Sequence, residues 1–229
     1  MVLALVVLTV TFIIAAPRGD IAQLISVALA GGVLLAALHA AGSPTRALIV
    51  GRTLVALALV VAVVLTVNGG GEPATGLLFL LVSALVLWAP IAITRGVVHQ
   101  VLDTGVAANS IAGAVAIYLL VGLFFGFLIA GVAYLAPAPY FAQHASATTS
   151  EDVYFSFITL STAGYGDYTP ALAVGRALSS LEAVAGQLYL VTVVAVLVSN
   201  LRGRRATSVA VQQTGSGAPG SGESVSTDP

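Results

Sequence analysis

The stretch TLSTAGYGDYTP, Thr159 to Pro170, sets a Gly-Tyr-Gly triplet and an aspartate between two apolar runs, each long enough to cross a membrane. Its chemistry is that of main-chain polar groups rather than of side-chain acids and bases. Gly164 and Gly166 can adopt left-handed backbone angles without a Cβ clash, and such angles are what let successive carbonyls face one side. Irregular backbone at membrane depth is tolerated only where it is buried in protein or lines a water-filled cavity. A pore meets that condition. No phosphate-binding loop, metal-ligand cluster or nucleophile–base motif occurs elsewhere, and His39, His99 and His144 are isolated. An enzyme is not expected.

The composition agrees with a membrane setting. The chain of 229 residues is 59% hydrophobic and 7% charged, with a mean hydropathy of +1.06. Soluble domains carry about 25% charged residues. A net charge of −1 offers no basic face to nucleic acid, and the absence of cysteine excludes disulfides and thiolate metal sites. Apolar runs of about 17–25 residues suit the hydrocarbon core. Six are predicted, over 2–16, 21–41, 47–67, 76–94, 111–135 and 172–201. The first is short, and lacking a basic leader segment it reads as an uncleaved span.

These runs divide the chain into a four-helix transmembrane region, 1–94, a linker, 95–110, a two-helix region, 111–202, and a tail, 203–229. In the linker Arg95, His99 and Asp103 recur every four residues, with Val98, Val101 and Leu102 on another face, which predicts a short amphipathic helix at the interface. The tail ends in TGSGAPGSGESVSTDP, a composition expected to be disordered. Arginine placement gives direction: with both termini cytoplasmic, Arg46, Arg52, Arg95, Arg202, Arg204 and Arg205 lie inside and only Arg18 and Arg176 outside. The 136–171 segment then enters from outside. Ser150, as N-cap, with Glu151 and Asp152 in the first turn, predicts a short helix over 151–161 that dips into the membrane and returns as extended chain through 162–167. Solvated acids there would concentrate cations at an outer mouth, or simply start the helix.

At these residues the chain resembles the potassium-channel pore family. TLSTAGYGD is similar to that family's filter signature, in which one T-V-G-Y-G loop from each of four subunits surrounds an axis. The resemblance implies an all-α membrane protein with a re-entrant pore helix and filter loop between its last two spans. It implies that potassium is held by the carbonyls of Thr162, Ala163, Gly164 and Tyr165 and by the Thr162 hydroxyl, with Gly166 completing the filter. Tyr165 would brace the loop against the short helix. The expected assembly is a homotetramer in the plasma membrane, its partners being its own copies and lipid, with no cofactor beyond the permeant ion. VLVSN, Val196 to Asn200, is similar to the inner-helix end VIVSN of voltage-gated members, and Gly186 stands at the hinge-glycine position.

Departures from the family pattern carry their own expectations. Ala163 replaces a bulkier residue, and Tyr154 and Phe155 replace a tryptophan pair. The Tyr154 hydroxyl is the remaining donor for Asp167, which is expected to be less constrained. The fourth span has no arginine, so a charged voltage sensor is absent. Glu182 lies inside the last span; it is either a proton-sensitive gate or a satisfied packing residue. Gln187, Leu190 and Val194 fall on one stripe and are predicted to line an inner cavity. Gly122 and Gly126 form a GxxxG packing motif. A tetrameric passive cation channel is the leading reading; a non-conducting membrane sensor or a potassium-transporter subunit is the alternative.

Overall fold

The computed structural model describes residues 2–15, 20–68, 71–104, 108–143 and 147–215; for helix residues 20, 93, 95–104, 108–110, 194 and 197–215 it describes the backbone only. Among the described residues seven helices follow in order: α1 Val2–Ala15, α2 Asp20–Ala40, α3 Thr45–Asn68, α4 Glu72–Thr104, α5 Ala108–Leu135, α6 Thr149–Leu160 and α7 Ala173–Gly215. Among the described residues the only β pairing is an isolated antiparallel bridge between Phe141 and Pro170. The described residues form an all-helical fold.

Among the described residues four stretches are long and apolar enough to cross a membrane: Ile21–Ala40, Thr45–Asn68, Glu72–Ala92 and Ile111–Leu135. The shortest has 20 residues and spans about 30 Å at 1.5 Å per residue. With 14 residues, α1 reaches only about 21 Å. It buries Val6, Thr9 and Ile13 on one stripe and packs against α2, α5 and α6.

The linker and the tail differ from expectation. Residues 95–104 continue α4 instead of forming a separate helix, and 108–110 open α5. Pro90 inside α4 removes one ladder bond, yet the helix continues, with the Thr94 hydroxyl donating to the Pro90 carbonyl at 2.7 Å. Helix α7 does not stop at Gly203 but extends to Gly215; its RRATSVAVQQ stretch contains good helix formers, Arg, Ala and Gln, that offset one glycine. Residues 216–229 of the expected tail lie outside those described. The chain divides into two compact units, Met1–Val191 and Thr192–Pro229; the described part of the second is the remainder of α7.

In the first unit the core runs from α1 through α5. Leu34 and Leu38 of α2, Phe79 of α4, and Leu120, Leu123 and Phe127 of α5 are all fully buried. Helix α5 carries α6 on the face that Gly122 and Gly126 open. A Cβ at Gly122 would sit 2.7 Å from the Phe157 ring, and one at Gly126 would sit 2.7 Å from Val153. The GxxxG motif therefore receives the short helix.

A second cluster forms where the segment after α5 meets α6 and the loop before α7. Phe141 packs edge-on against Tyr140, Phe155 and Tyr168, with ring centroids 4.9, 5.0 and 5.2 Å apart. Backbone bonds from Ala142 N–H to the Thr169 carbonyl and from Ala171 N–H to the Tyr140 carbonyl tie residues 140–142 to 169–171. The Gln143 side chain adds one bond to the Thr169 hydroxyl and one from the Thr169 N–H. The loop between α6 and α7 is thus fixed at its exit.

Candidate functional site

Half of helix α6 is buried, Asp152, Val153, Phe155, Ser156, Ile158 and Leu160, and the other half is partly covered. Its N-cap is Thr148, not Ser150. The Thr148 hydroxyl accepts from the Glu151 N–H while the Glu151 carboxylate accepts from the Thr148 N–H at 2.6 Å, a complete capping box. Ser150 instead donates to the Ile14 carbonyl at 2.6 Å, tying the start of α6 to the end of α1. Asp152 is only 1% exposed, so it supplies no charge to an outer mouth. Position in the first turn does not decide which way a carboxylate faces.

Directly after α6 the chain becomes irregular. Ser161 closes the helix with an N–H bond to the Phe157 carbonyl. The Thr162 N–H then bonds the Thr159 carbonyl at 2.9 Å and the Gly164 N–H bonds the Ile158 carbonyl at 3.1 Å. Positive φ recurs at every second residue: Thr162 at 58°, Gly164 at 51° and Gly166 at 79°. The two glycines were legible in advance. Thr162 is the addition, and among the described residues it is the one non-glycine with positive φ; for a β-branched side chain this is a strained conformation. Alternating backbone hand turns successive N–H groups to one side and hence carbonyls to the other. Among the described residues, none of the carbonyls from Thr162 to Gly166 accepts a backbone hydrogen bond.

Residues 161–167 are all exposed. Tyr165 is 73% exposed and does not brace the loop against α6 of its own chain. Asp167 is better held than its sequence context suggested. Tyr154 donates to its Oδ2 at 2.8 Å, and the Tyr168 N–H reaches its Oδ1 at 3.2 Å. Phe155, which has no donor, fills the Phe141 cluster instead.

Helix α7 meets this loop from the other side. Gln187 donates from Nε2 to the Thr162 hydroxyl at 3.1 Å. A Cβ at Gly186 would sit 2.3 Å from the Leu160 carbonyl, so α7 touches the end of α6 there with no room for a side chain. Leu190 is exposed, and the Val194 side chain lies outside those described. Glu182 is 0% exposed, its carboxyl against the Ser156 hydroxyl. Tyr189 donates to the Ala114 carbonyl of α5 at 2.5 Å.

Several of these residues carried no signal in sequence. Ser156 and Tyr140 are ordinary residues whose importance is positional. The Tyr140 hydroxyl is buried without a partner; burial, with Asp152 and Glu182 nearby, pushes it above the usual phenol range. Thr148 did carry a signal, since T-x-x-E is the capping-box pattern. It was obscured by Thr149 and Ser150, both acceptable caps. Among the described residues no cluster of His, Cys, Asp and Glu could hold a metal ion; the oxygens on offer are those of the 162–166 backbone.

Comparison with known proteins points the same way. Residues 113–202 match the family described as "Ion channel". The human potassium voltage-gated channel subfamily A member 4 is 37% identical over 84 residues, covering 34% of this chain and 13% of that protein. Subfamily A member 7 of Mus musculus is 37% identical over 84 residues, 34% of this chain and 17% of the relative. Subfamily A member 5 of Rattus norvegicus is 38% identical over 84 residues, 34% and 14% respectively. The chain thus spans less than a fifth of the length of each of these relatives. No solved structure matches. Residues 113–202 thus resemble the pore region of potassium channels, a part of channels rather than of enzymes.

Proposed function

We propose that the protein is a homotetrameric, passive, potassium-selective channel of six spans, α1 to α5 and α7, with α6 as a re-entrant pore helix. The reading is carried by one observation: left-handed backbone at Thr162, Gly164 and Gly166 in a fully exposed loop whose carbonyls accept no backbone bond. A single loop cannot surround an ion. Four copies about an axis can, and closed point-group symmetry is the ordinary form of such an assembly. Carbonyls of Thr162, Ala163, Gly164 and Tyr165, with the Thr162 hydroxyl, then replace the hydration shell of potassium. The exposed Tyr165 ring finds its cover on a neighbouring copy.

Gln187 and Leu190 line the inner cavity, and Gly186 is the pivot of α7. The arginine distribution supports cytoplasmic termini, and the plasma membrane is the location that the channel reading implies. No voltage sensor is assigned, because no arginine occurs within 76–94.

Reconstitution in planar bilayers tests this. Unitary current steps are expected, with a bi-ionic reversal potential that favours potassium over sodium. A reversal potential near zero would remove the selectivity and leave a cation channel. An absence of unitary steps would leave a non-conducting sensor, and flux without steps a transporter subunit.

A further inference from the structure

The buried contact of Glu182 carries information about a proton. Its Oε1 lies within hydrogen-bond distance of Ser156 Oγ on α6. The same Oγ is 2.7 Å from the Gly122 carbonyl on α5. A serine hydroxyl has one proton, and a carbonyl can only accept. The Gly122 contact therefore takes the serine proton and leaves lone pairs facing Glu182. The hydrogen between the two side-chain oxygens must then come from the glutamate. The second oxygen, Oε2, is buried with no partner, which is costly for a carboxylate and far less so for the carbonyl of a neutral acid.

Among the described residues no cation offsets a charge at this place. From α5 the group facing Glu182 is Tyr118, and from the segment between α5 and α6 it is Tyr140. On α6, Asp152 is another buried acid, one turn before Ser156. On α7 the nearest titratable residues are Arg176 and Tyr189. Arg176 is exposed and donates to the Ala171 carbonyl at 2.6 Å.

We propose that Glu182 is a proton-binding site, a neutral carboxylic acid that donates to Ser156 and through it ties α7 to α6 and α5 behind the 162–166 loop. Glu182 is a positioning residue, acting through contacts rather than on an ion. Loss of its proton sets a carboxylate against the serine lone pairs. Ser156 then turns its own proton to Glu182 and releases Gly122, loosening α6 from α5. One turn further along α7, Gly186 rests on the Leu160 carbonyl, two residues before Thr162, so the disturbance reaches the base of the loop. The proton site stands on the hydrogen-bond geometry alone; its effect on current rests on the channel reading.

Infrared spectroscopy of the full chain in lipid bilayers at neutral pH reads the proton directly. The carbonyl stretch of a protonated carboxyl, shifted in D2O, is expected in the wild type and lost in Glu182→Gln. Ser156→Ala keeps the acid but removes its acceptor, and is expected to move the band. A wild-type spectrum with no such band to lose, or a band that Ser156→Ala leaves in place, overturns the proposal. In bilayers, wild-type current is expected to fall as rising pH removes the Glu182 proton. Glu182→Gln, whose amide still donates to Ser156, is expected to lose that dependence; an identical pH profile in both overturns the switch. If no current flows at all, the channel reading fails, and the infrared result still decides the proton site.

Discussion

Hydroxyl groups in α1 to α4 and in α5 to α7 are used in different ways. Thr9, Ser26, Thr66 and Thr94 each donate to the carbonyl four residues back in their own helix, at 2.7 to 2.9 Å. Such bonds satisfy the hydroxyl and choose no partner. Around α5 to α7, where Ser179 and Ser180 still bond their own helix, four other polar side chains cross between elements: Ser156 to Gly122, Tyr189 to Ala114, Gln187 to Thr162 and Tyr154 to Asp167. Ser83 of α4, which donates to the Phe124 carbonyl of α5 at 3.2 Å, marks the border. Where lipid offers no hydrogen bonds, a crossing bond selects one neighbour in one register. The first four helices are arranged by apolar packing, and the last three by specific contacts as well.

The strongest test of that difference is a matched pair of glycines. A methyl group at Gly186 meets backbone, the Leu160 carbonyl at 2.3 Å and its carbon at 3.2 Å, and backbone cannot rotate away. Gly186→Ala is expected to cost about 3 kcal/mol, the upper end for overpacking. Gly32 on α2 has nothing within 4 Å of a new Cβ, and Gly32→Ala is expected to be neutral or to stabilise by about 0.5–1 kcal/mol through helix propensity. Thermal unfolding of both variants in the same detergent makes the measurement. Equal shifts would mean that α7 is no more closely fitted than α2.

Two serines give a smaller contrast of the same kind. Ser156→Ala leaves the Gly122 carbonyl and Glu182 without their partner in a fully buried site, at an expected cost of about 1–3 kcal/mol. Ser26→Ala is expected to stay within about 0.5 kcal/mol, because the hydroxyl it removes serves only its own helix. A large effect at Ser26 would show that α2 depends on its polar groups too.

The sequence made the long apolar helices and the glycine-rich loop visible for one reason: each follows from residue types within a single stretch. Gly164 and Gly166 announce left-handed backbone wherever they fall. What stayed hidden depends on facing. The GxxxG of α5 was legible as a packing motif, but not that Phe157 and Val153 of the short helix fill it. Asp152 and Glu151 look alike in sequence, yet one is buried and the other closes a capping box. Continuation of α7 beyond Gly203 was missed because one glycine and a polar composition outweighed the helix formers between them. Thr162 is the deepest case. Nothing in a threonine predicts positive φ; that angle follows from its place between the end of α6 and the loop, with Gln187 holding its hydroxyl.

The finest discrimination concerns Tyr154, whose bond to Asp167 is the outermost of the crossing contacts. Both groups are at least partly open to solvent and Asp167 keeps its bond from the Tyr168 N–H. Removing the phenol oxygen therefore costs little: Tyr154→Phe is expected to lower stability by about 0.5 kcal/mol. Its effect on function should be disproportionate. Asp167 ends the strained alternation that starts at Thr162, and freeing one carboxylate oxygen lets the loop leave that conformation more readily. Sustained current should then decay faster in Tyr154→Phe than in the wild type, while the unfolding temperature barely moves. Thr66→Val, which also removes one hydroxyl, should alter neither, since Thr66 bonds only the Ala62 carbonyl of its own helix. If decay is unchanged in Tyr154→Phe, the crossing bond at the outer end is incidental and the contrast between the two regions rests on the Ser156, Gln187 and Tyr189 contacts deeper in the fold.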